Sequence, residues 1–292
     1  LDCLLSYNVV IYYRTREIRH FISKDKSNHA KRACATIYTN RMTISTLEAL
    51  QQRSYFNRFA QRANWAHVEA DLASPAFQRE VSAFVAFAGI PPNSRIMDFG
   101  CGRGLWSLAL ARLGHTVVSI DVSERSIEPL SSTGPATLPG RVLPVAGTPQ
   151  VLGPLATASF DAVICIDVLH HVEDIPETIN WMVSLLRPGG VFASIEPNAR
   201  FPFWRLMPWV IPGFDWEFEH GVVRCREEYL VETLRRACAS DIRVAHWKLL
   251  PGNLAERFPL LKWIESLALK VLLLRDRSFF LMLRATYPRG EP

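Results

Sequence analysis

Apolar residues recur at two distinct periods along this chain, and the alternation between them predicts a layered α/β fold. Arg95–Phe99 is a short apolar run that stops at Gly100, and Thr116–Asp121 is β-branched. Asp161–Asp167 is apolar almost without interruption, as a strand covered on both faces of a parallel sheet is. Arg141–Val145 reads as a weaker strand after a Pro/Gly/Ser-rich loop, and Val191–Glu196 as a fifth. Between these runs the period becomes helical. Trp106, Ala109, Leu110 and Leu113 are spaced i, i+3, i+4, i+7 over Leu105–Leu113, and Gly114 stands where a helix-ending glycine belongs. Pro176 opens a second helix with Ile179, Met182, Val183 and Leu186 on one face, ended by Arg187-Pro188-Gly189-Gly190. Further on, Arg226–Ala239 reads as a helix, and Ile242–Leu250 and Phe279–Tyr287 as strands. Leu260, Trp263, Ile264, Leu267, Val271 and Leu274 mark one apolar helical face between those two strands. Strands alternating with helices give a doubly wound, mostly parallel sheet.

Composition narrows the classes. Of 292 residues, 49% are apolar and 21% charged, enough for a sizeable core and too apolar for a mainly disordered chain. No run of about 18 uncharged apolar residues occurs, which argues against a spanning helix. The net charge of +5 is local. Residues 1–41 hold eight Lys/Arg and three Asp/Glu, which leaves 25 of each for the remainder. A neutral domain, with no Asn/Asp-Pro-Pro-aromatic motif after its fourth strand, does not read as a nucleic-acid enzyme. The basic segment lacks the order of a signal peptide, because its charges follow its apolar stretch Val9–Tyr13. With the first Met at position 42, residues 1–41 read as a disordered or non-native extension. A basic arm for a polyanion and an extra structural element are the alternatives. The six cysteines are scattered with no C-x-x-C, so zinc and thioredoxin chemistry have no support, and they read as reduced thiols of a cytoplasmic protein.

The chemistry concentrates at Asp98-Phe99-Gly100-Cys101-Gly102-Arg103-Gly104, on the turn from the first strand into its helix. Glycines there let backbone approach a ligand, and the helix start offers free N–H groups. Asp121 ends the next strand, 17 residues past Gly104, where a carboxylate accepts both ribose hydroxyls. A dinucleotide fingerprint needs glycine at position 105, where Leu105 stands. An acid two residues before the first glycine repels a pyrophosphate and suits a cationic amino-acid moiety. This pattern resembles the class I S-adenosylmethionine-dependent methyltransferases. Phe160-Asp161-Ala162-Val163, Asp167-Val168-Leu169-His170-His171-Val172 and Leu186-Arg187-Pro188-Gly189-Gly190-Val191 follow the later motifs of that family's small-molecule enzymes, in order and spacing.

The resemblance implies a Rossmann-like, seven-stranded sheet over residues 95–287, cap helices over 45–90, one domain over 42–292, and S-adenosylmethionine as cofactor. It implies that Asp98, Gly100, Cys101, Gly102 and Gly104 line the methionine and ribose of that cofactor. Asp121 would bind the ribose, with Val122 beside the adenine and Asp167 completing the set. The third strand of the family ends in an acid. Here the stretch is Val145-Ala146-Gly147-Thr148, which leaves the adenine to backbone groups near Gly147. Tyr55, Phe56, Phe59 and Trp65 resemble the helix that closes over the cofactor.

Methyl transfer is an SN2 displacement that depends on in-line positioning, and the acceptor loses a proton. His170 and His171 lie just past the fourth strand, where relatives hold the acceptor, and a histidine suits a base at neutral pH. His170 is the preferred candidate, and packing against the sheet is the plain alternative for either. Asp167-x-x-His170-His171 also resembles the metal-binding E-x-x-E-H of ubiquinone-pathway O-methyltransferases, with the second acid replaced by His170; the site is read without a metal, and a metal-assisted O-methyltransferase of a catechol or quinone precursor is the alternative. After the fifth strand, Asn198–Gly221 holds seven Phe and Trp in 24 residues, where the chain average of 11% gives about three. This predicts an irregular aromatic lid over an apolar or aromatic small-molecule acceptor, methylated on oxygen or carbon. A satellite core is the alternative, as is contact with a membrane surface assisted by the 260–274 face. A cofactor-binding protein without turnover is the other class that the missing acid leaves open.

Overall fold

The computed structural model describes residues 46–62, 65–133, 138–148, 152, 158–210, 214–249 and 258–288. The extension expected over residues 1–41 lies outside the described residues, as do the side chains of Phe59 and Trp65. Three helices come first: α1 (Thr46–Arg62), α2 (Trp65–Ala73) and α3 (Pro75–Ala88). The α/β alternation then runs β1 (Arg95–Phe99), α4 (Leu105–Arg112), β2 (Thr116–Asp121), α5 (Glu124–Thr133), β3 (Arg141–Ala146), β4 (Phe160–Ile166), α6 (Ile175–Ser184) and β5 (Leu186–Pro197). The lid follows, with α7 (Met207–Val210) and α8 (Trp216–Glu219) joined by 3-10 turns at Trp204–Leu206 and His220–Arg224. The chain ends with α9 (Glu227–Arg236), β6 (Ser240–Trp247), α10 (Pro259–Ala268), α11 (Leu272–Arg275) and β7 (Phe280–Thr286).

The seven strands lie in the order β3-β2-β1-β4-β5-β7-β6. β1 to β5 are mutually parallel, and β7 runs antiparallel to both β5 and β6. Chain order reverses between β1 and β4, so their carboxyl ends diverge into the crevice where open α/β sheets bind ligands. Both faces of the sheet are covered. Met97, Val163 and Phe192 pack with Ile179 and Met182 of α6 and Leu230 and Leu234 of α9. On the other face, Ile96, Ile164 and Ala193 pack with Phe84 of α3 and Leu110 of α4. Double coverage is why β4 has no polar alternation.

Four elements differ from the sequence expectation. α5 was not foreseen, because Pro129 sits inside it and its face is mostly polar. β5 begins at Leu186, ahead of the Pro-Gly-Gly stretch, and Leu186 pairs with Phe160 across a register shift. The helix expected to run to Leu186 therefore ends at Ser184. The apolar stretch 260–274 is two helices with a break between them, and its apolar side chains face outward. No described helix is long and apolar enough to cross a membrane.

Candidate active site

A cavity of about 510 Å³ opens at the carboxyl ends of β1, β2 and β4. Its floor is the β1–α4 turn. Gly102 lines the cavity with a positive φ of 52°, and a Cβ built there meets nothing within 4 Å. The turn thus presents bare backbone to open space, the shape a ligand's close approach needs. The Gly102 N–H donates to Asp121 Oδ2 (2.8 Å), and Oδ1 accepts from the Ser123 N–H (2.8 Å). Burial raises the Asp121 carboxyl to about 6, against those two N–H groups that lower it. Gly100, Cys101, Val122, Gly147 and Asp167 also line this cavity.

Asp98 and Gly104 do not. Asp98 is buried at the end of β1 and accepts from the Ser107 hydroxyl on α4, which in turn accepts from the Ser119 hydroxyl on β2. Burial pushes its carboxyl to about 7, with Ser107 opposing and the Asp121 charge adding. It underpins the turn from below. Gly104 is glycine for packing: its φ is 73°, and a Cβ would lie 2.4 Å from Leu130 Cδ1 of α5.

The acceptor end is built on the 3-10 turn Leu169–His171 that follows β4. Arg224 fixes this turn, its guanidinium donating to the carbonyls of His170 (3.0 Å), Val172 (2.7 Å) and Glu173 (2.8 Å). Glu196, fully buried at the end of β5, accepts through Oε1 from the N–H groups of Val168 (3.2 Å) and Leu169 (3.0 Å). Its Oε2 lies 3.3 Å from His170 Nδ1, and Glu219 Oε2 of α8 lies 3.1 Å from His170 Nε2. Burial alone lowers a histidine's pKa. The two carboxylates outweigh it here, and His170 rises to about 10. Glu219 is held low by that imidazolium, against its own burial. Asp167, whose side chain is more than half exposed, has its Oδ1 3.9 Å from His170 Nδ1.

His171 is the opposite case. Burial, then the neighbouring His170 charge, drive it down to about 3. Its Nδ1 lies 3.2 Å from the Phe218 carbonyl. A carbonyl only accepts, so Nδ1 carries the hydrogen and Nε2 keeps a lone pair. That Nε2 is 4.0 Å from Glu219 Oε2. Two acceptors therefore face the cavity side by side, at a separation one donor group can bridge. Neither imidazole titrates near neutrality: His170 holds its proton between two carboxylates, while the neutral His171 keeps a lone pair at Nε2.

His170, His171 and Glu219 offer ligand atoms within 4.8 Å of one another. Glu196 holds His170 Nδ1, and a cation on this set would have to displace the proton that His170 Nε2 shares with Glu219.

Helix α1 and the lid close the cavity. Gln52 donates to the His171 carbonyl, Tyr55 stacks on Phe218 at 3.6 Å, and Phe56 meets His171 edge-on at 5.3 Å. Trp204 and Phe214 of the lid line the cavity with Phe279 and Phe280. Phe201, Met207 and Phe279 form a small buried cluster behind them. The aromatic insert is thus cavity wall and satellite core at once. Glu196 and Glu219 went unassigned in the sequence. The available signal was a charged residue ending an apolar strand, and an acid within an aromatic insert.

Residues 72–273 match the family described as Methyltransferase domain. The chain is 31% identical over 156 residues to a ubiquinone biosynthesis O-methyltransferase of Caulobacter sp. (strain K31), covering 50% of this chain and 60% of that protein. It is 37% identical over 110 residues to the protein of the same name from Xanthomonas campestris pv. campestris (strain B100), covering 37% of this chain and 44% of that one. The chain thus spans about half the length of these curated relatives. A crystal structure of an S-adenosylmethionine dependent methyltransferase from Mesorhizobium loti superposes with a TM-score of 0.51 at 20% identity, over 74% of this chain and 99% of that one.

Proposed function

Because this chain belongs to the methyltransferase-domain family, as a class I S-adenosylmethionine-dependent enzyme, we propose that it methylates a hydroxyl on a small aromatic or apolar acceptor. S-adenosylmethionine supplies the methyl group on a sulfonium and departs as the thioether. The residues present suit it: the bare Gly102 backbone and the Asp121 carboxylate form a cradle for a ribose, flanked by Gly100, Cys101, Val122 and Gly147. Asp98 supports this cradle through Ser107 without touching the ligand.

The observation that carries the acceptor reading is the pair His171 Nε2 and Glu219 Oε2, 4.0 Å apart in the cavity wall beneath Trp204 and Phe214. The pair accepts the hydrogen of an incoming hydroxyl, and the aromatic wall takes the apolar body. Removing a phenolic proton in advance is uphill by roughly 9–10 kcal/mol for His171, which at about 3 is about seven pKa units below a phenol. His171 and Glu219 therefore aim the oxygen lone pair and take the proton only as the oxygen–methyl bond forms and the oxygen becomes acidic. The relatives' name, O-methyltransferase, supports oxygen as the acceptor atom.

The test is S-adenosylhomocysteine calorimetry together with radiolabelled transfer to a panel of phenols, catechols and amines. The expected result is binding, with transfer to hydroxylated aromatics. Glu219→Gln and His171→Ala are expected to lower kcat/KM for the acceptor about 10²-fold with cofactor affinity unchanged. The pH–rate profile is expected to rise through pH 6–7, where Asp121 and Asp98 of the cofactor cradle ionise, and to be level from pH 8 to 9. Transfer confined to amines overturns the reading.

A further inference from the structure

Ten of the thirteen large apolar side chains that stand exposed among the described residues fall in two short segments. The first is Phe203, Leu206 and Trp209, with Trp209 88% exposed. The second runs from Phe258 through Leu260, Trp263, Ile264, Leu267, Val271 and Leu274. From Leu260 onward these are spaced i, i+3, i+4, i+7, i+11, i+14 across α10, the break at 269–271 and α11, and every one is at least 41% exposed. A water-soluble surface helix turns such a stripe inward. Here α10 and α11 turn it out.

The two segments are tied together at one place. Asn198 at the root of the lid donates to the Asp276 carbonyl (3.0 Å), just past α11. Trp204 packs on Phe279 at 5.0 Å between ring centroids, and Phe201 on the same ring at 4.9 Å. Trp204 and Phe279 also line the cavity. The carboxyl end of α11 is therefore anchored to the root of the lid beside the cavity's aromatic wall.

The unpaired charges beside it, among the described residues, are basic. Arg205, Lys270 and Arg277 are exposed and carry no ion pair among the described residues. The acids of these segments face elsewhere. Glu265 accepts from the Leu249 N–H (2.7 Å), and Asp276 faces His246 (3.8 Å) and Arg275 (3.8 Å). Residues 42–292 as a whole are neutral, so a basic rim around an apolar, Trp-bearing helical face is a local feature. That combination matches helices that lie in the interface of an anionic bilayer, and no described helix is long enough to cross one. We infer that the outward face of α10 and α11, with the Phe203–Trp209 turn, docks on an anionic lipid surface. A second copy of the chain would have to bring a complementary acidic, apolar face to the same patch.

Flotation of the full chain with vesicles of phosphatidylcholine, with and without 30 mol% phosphatidylglycerol, tests this. The expected result is association with the anionic vesicles, weakened tenfold or more by 0.5 M salt. Trp263→Asp/Leu267→Asp is expected to reduce it at least tenfold with an unchanged melting temperature, since both side chains are exposed. Lys270→Glu/Arg277→Glu is expected to reduce it several-fold, on the anionic vesicles alone. Residues 1–41 carry the chain's net +5 and can draw it to anionic lipid by themselves. Vesicle binding that survives the Trp263/Leu267 substitution therefore overturns the inference, as does a wild-type chain that binds neither vesicle. A dimer that the same substitution splits, with no vesicle binding, assigns the face to a second copy and overturns it too.

Discussion

His170 is buried and charged at once, which is costly unless both nitrogens are satisfied. Glu196 and Glu219 satisfy them, and because Glu196 ends β5 while Glu219 sits on α8, the ring joins the sheet to the lid. A histidine raised from 6.5 to about 10 on folding contributes stability that is complete below pH 6.5 and is lost as pH climbs towards 10. His170→Gln is expected to cost about 3–5 kcal/mol near pH 6.5, because it strands the buried Glu196 carboxylate and the half-buried Glu219. Urea denaturation at pH 6.5, 8 and 10 is expected to show wild type and variant converging at the high end. A difference that stays constant across the series means that His170 folds neutral. The sequence placed His170 and His171 at the acceptor end, but their charge states depend on Glu196 and Glu219, which lie 26 and 49 residues away. Spacing along a chain carries no such partner. Asp98 was legible as part of the glycine turn, yet its depth beneath that turn was not, since it depends on Ser107 and Ser119 coming together across two elements.

At the scale of elements, α6 carries the 3-10 turn's downstream end and is started by Asp174, whose Oδ1 accepts from the Glu177 N–H (2.7 Å). Asp174 also lines the cavity. Asp174→Ala is expected to cost about 1 kcal/mol and to lower the melting temperature by about 2–4 °C. Asp174→Ser, which restores the cap, is expected to return it. Thermal melts of the three proteins decide this, and a Ser variant that melts with the Ala variant shows that the cap is not what Asp174 contributes. Elements were legible where burial is two-sided or strictly periodic: β1, β2, β4 and α4 stand within a residue of their expected bounds. α5 was illegible because Pro129 and its polar neighbours are carried by packing of Ile127 and Leu130, both 2% exposed. The period of α10 and α11 was legible, but a periodic stripe gives a face without saying whether that face meets core or solvent.

Over the whole molecule, the parallel strands β1, β4 and β5 form a rigid centre, and the site's walls come from its periphery. The cavity takes its floor from the strand ends, one wall from α1 and another from the lid. α1 is held by Arg53 to Glu124, by Asn57 Oδ1 accepting from the Ser123 hydroxyl (2.8 Å), and by Tyr55 on Phe218. Two of these ties reach the segment right after Asp121, and the third reaches the lid. Few of α1's contacts are to the hydrophobic centre, so its amides exchange by local opening at a fraction of the global free energy. A ligand seated between Asp121 and His171 touches α1's docking sites on both sides. S-adenosylhomocysteine at a hundred times its Kd stabilises the closed form by about 2.7 kcal/mol, which slows opening about a hundredfold where opening requires release. Hydrogen exchange of the full chain is therefore expected to show strong ligand protection in α1 and α8 and little in α9 and β6, which lie away from the cavity. Calorimetric binding without added protection in α1 means that the helix is not a wall of the working site, and the cofactor cradle then stands on the strand ends alone.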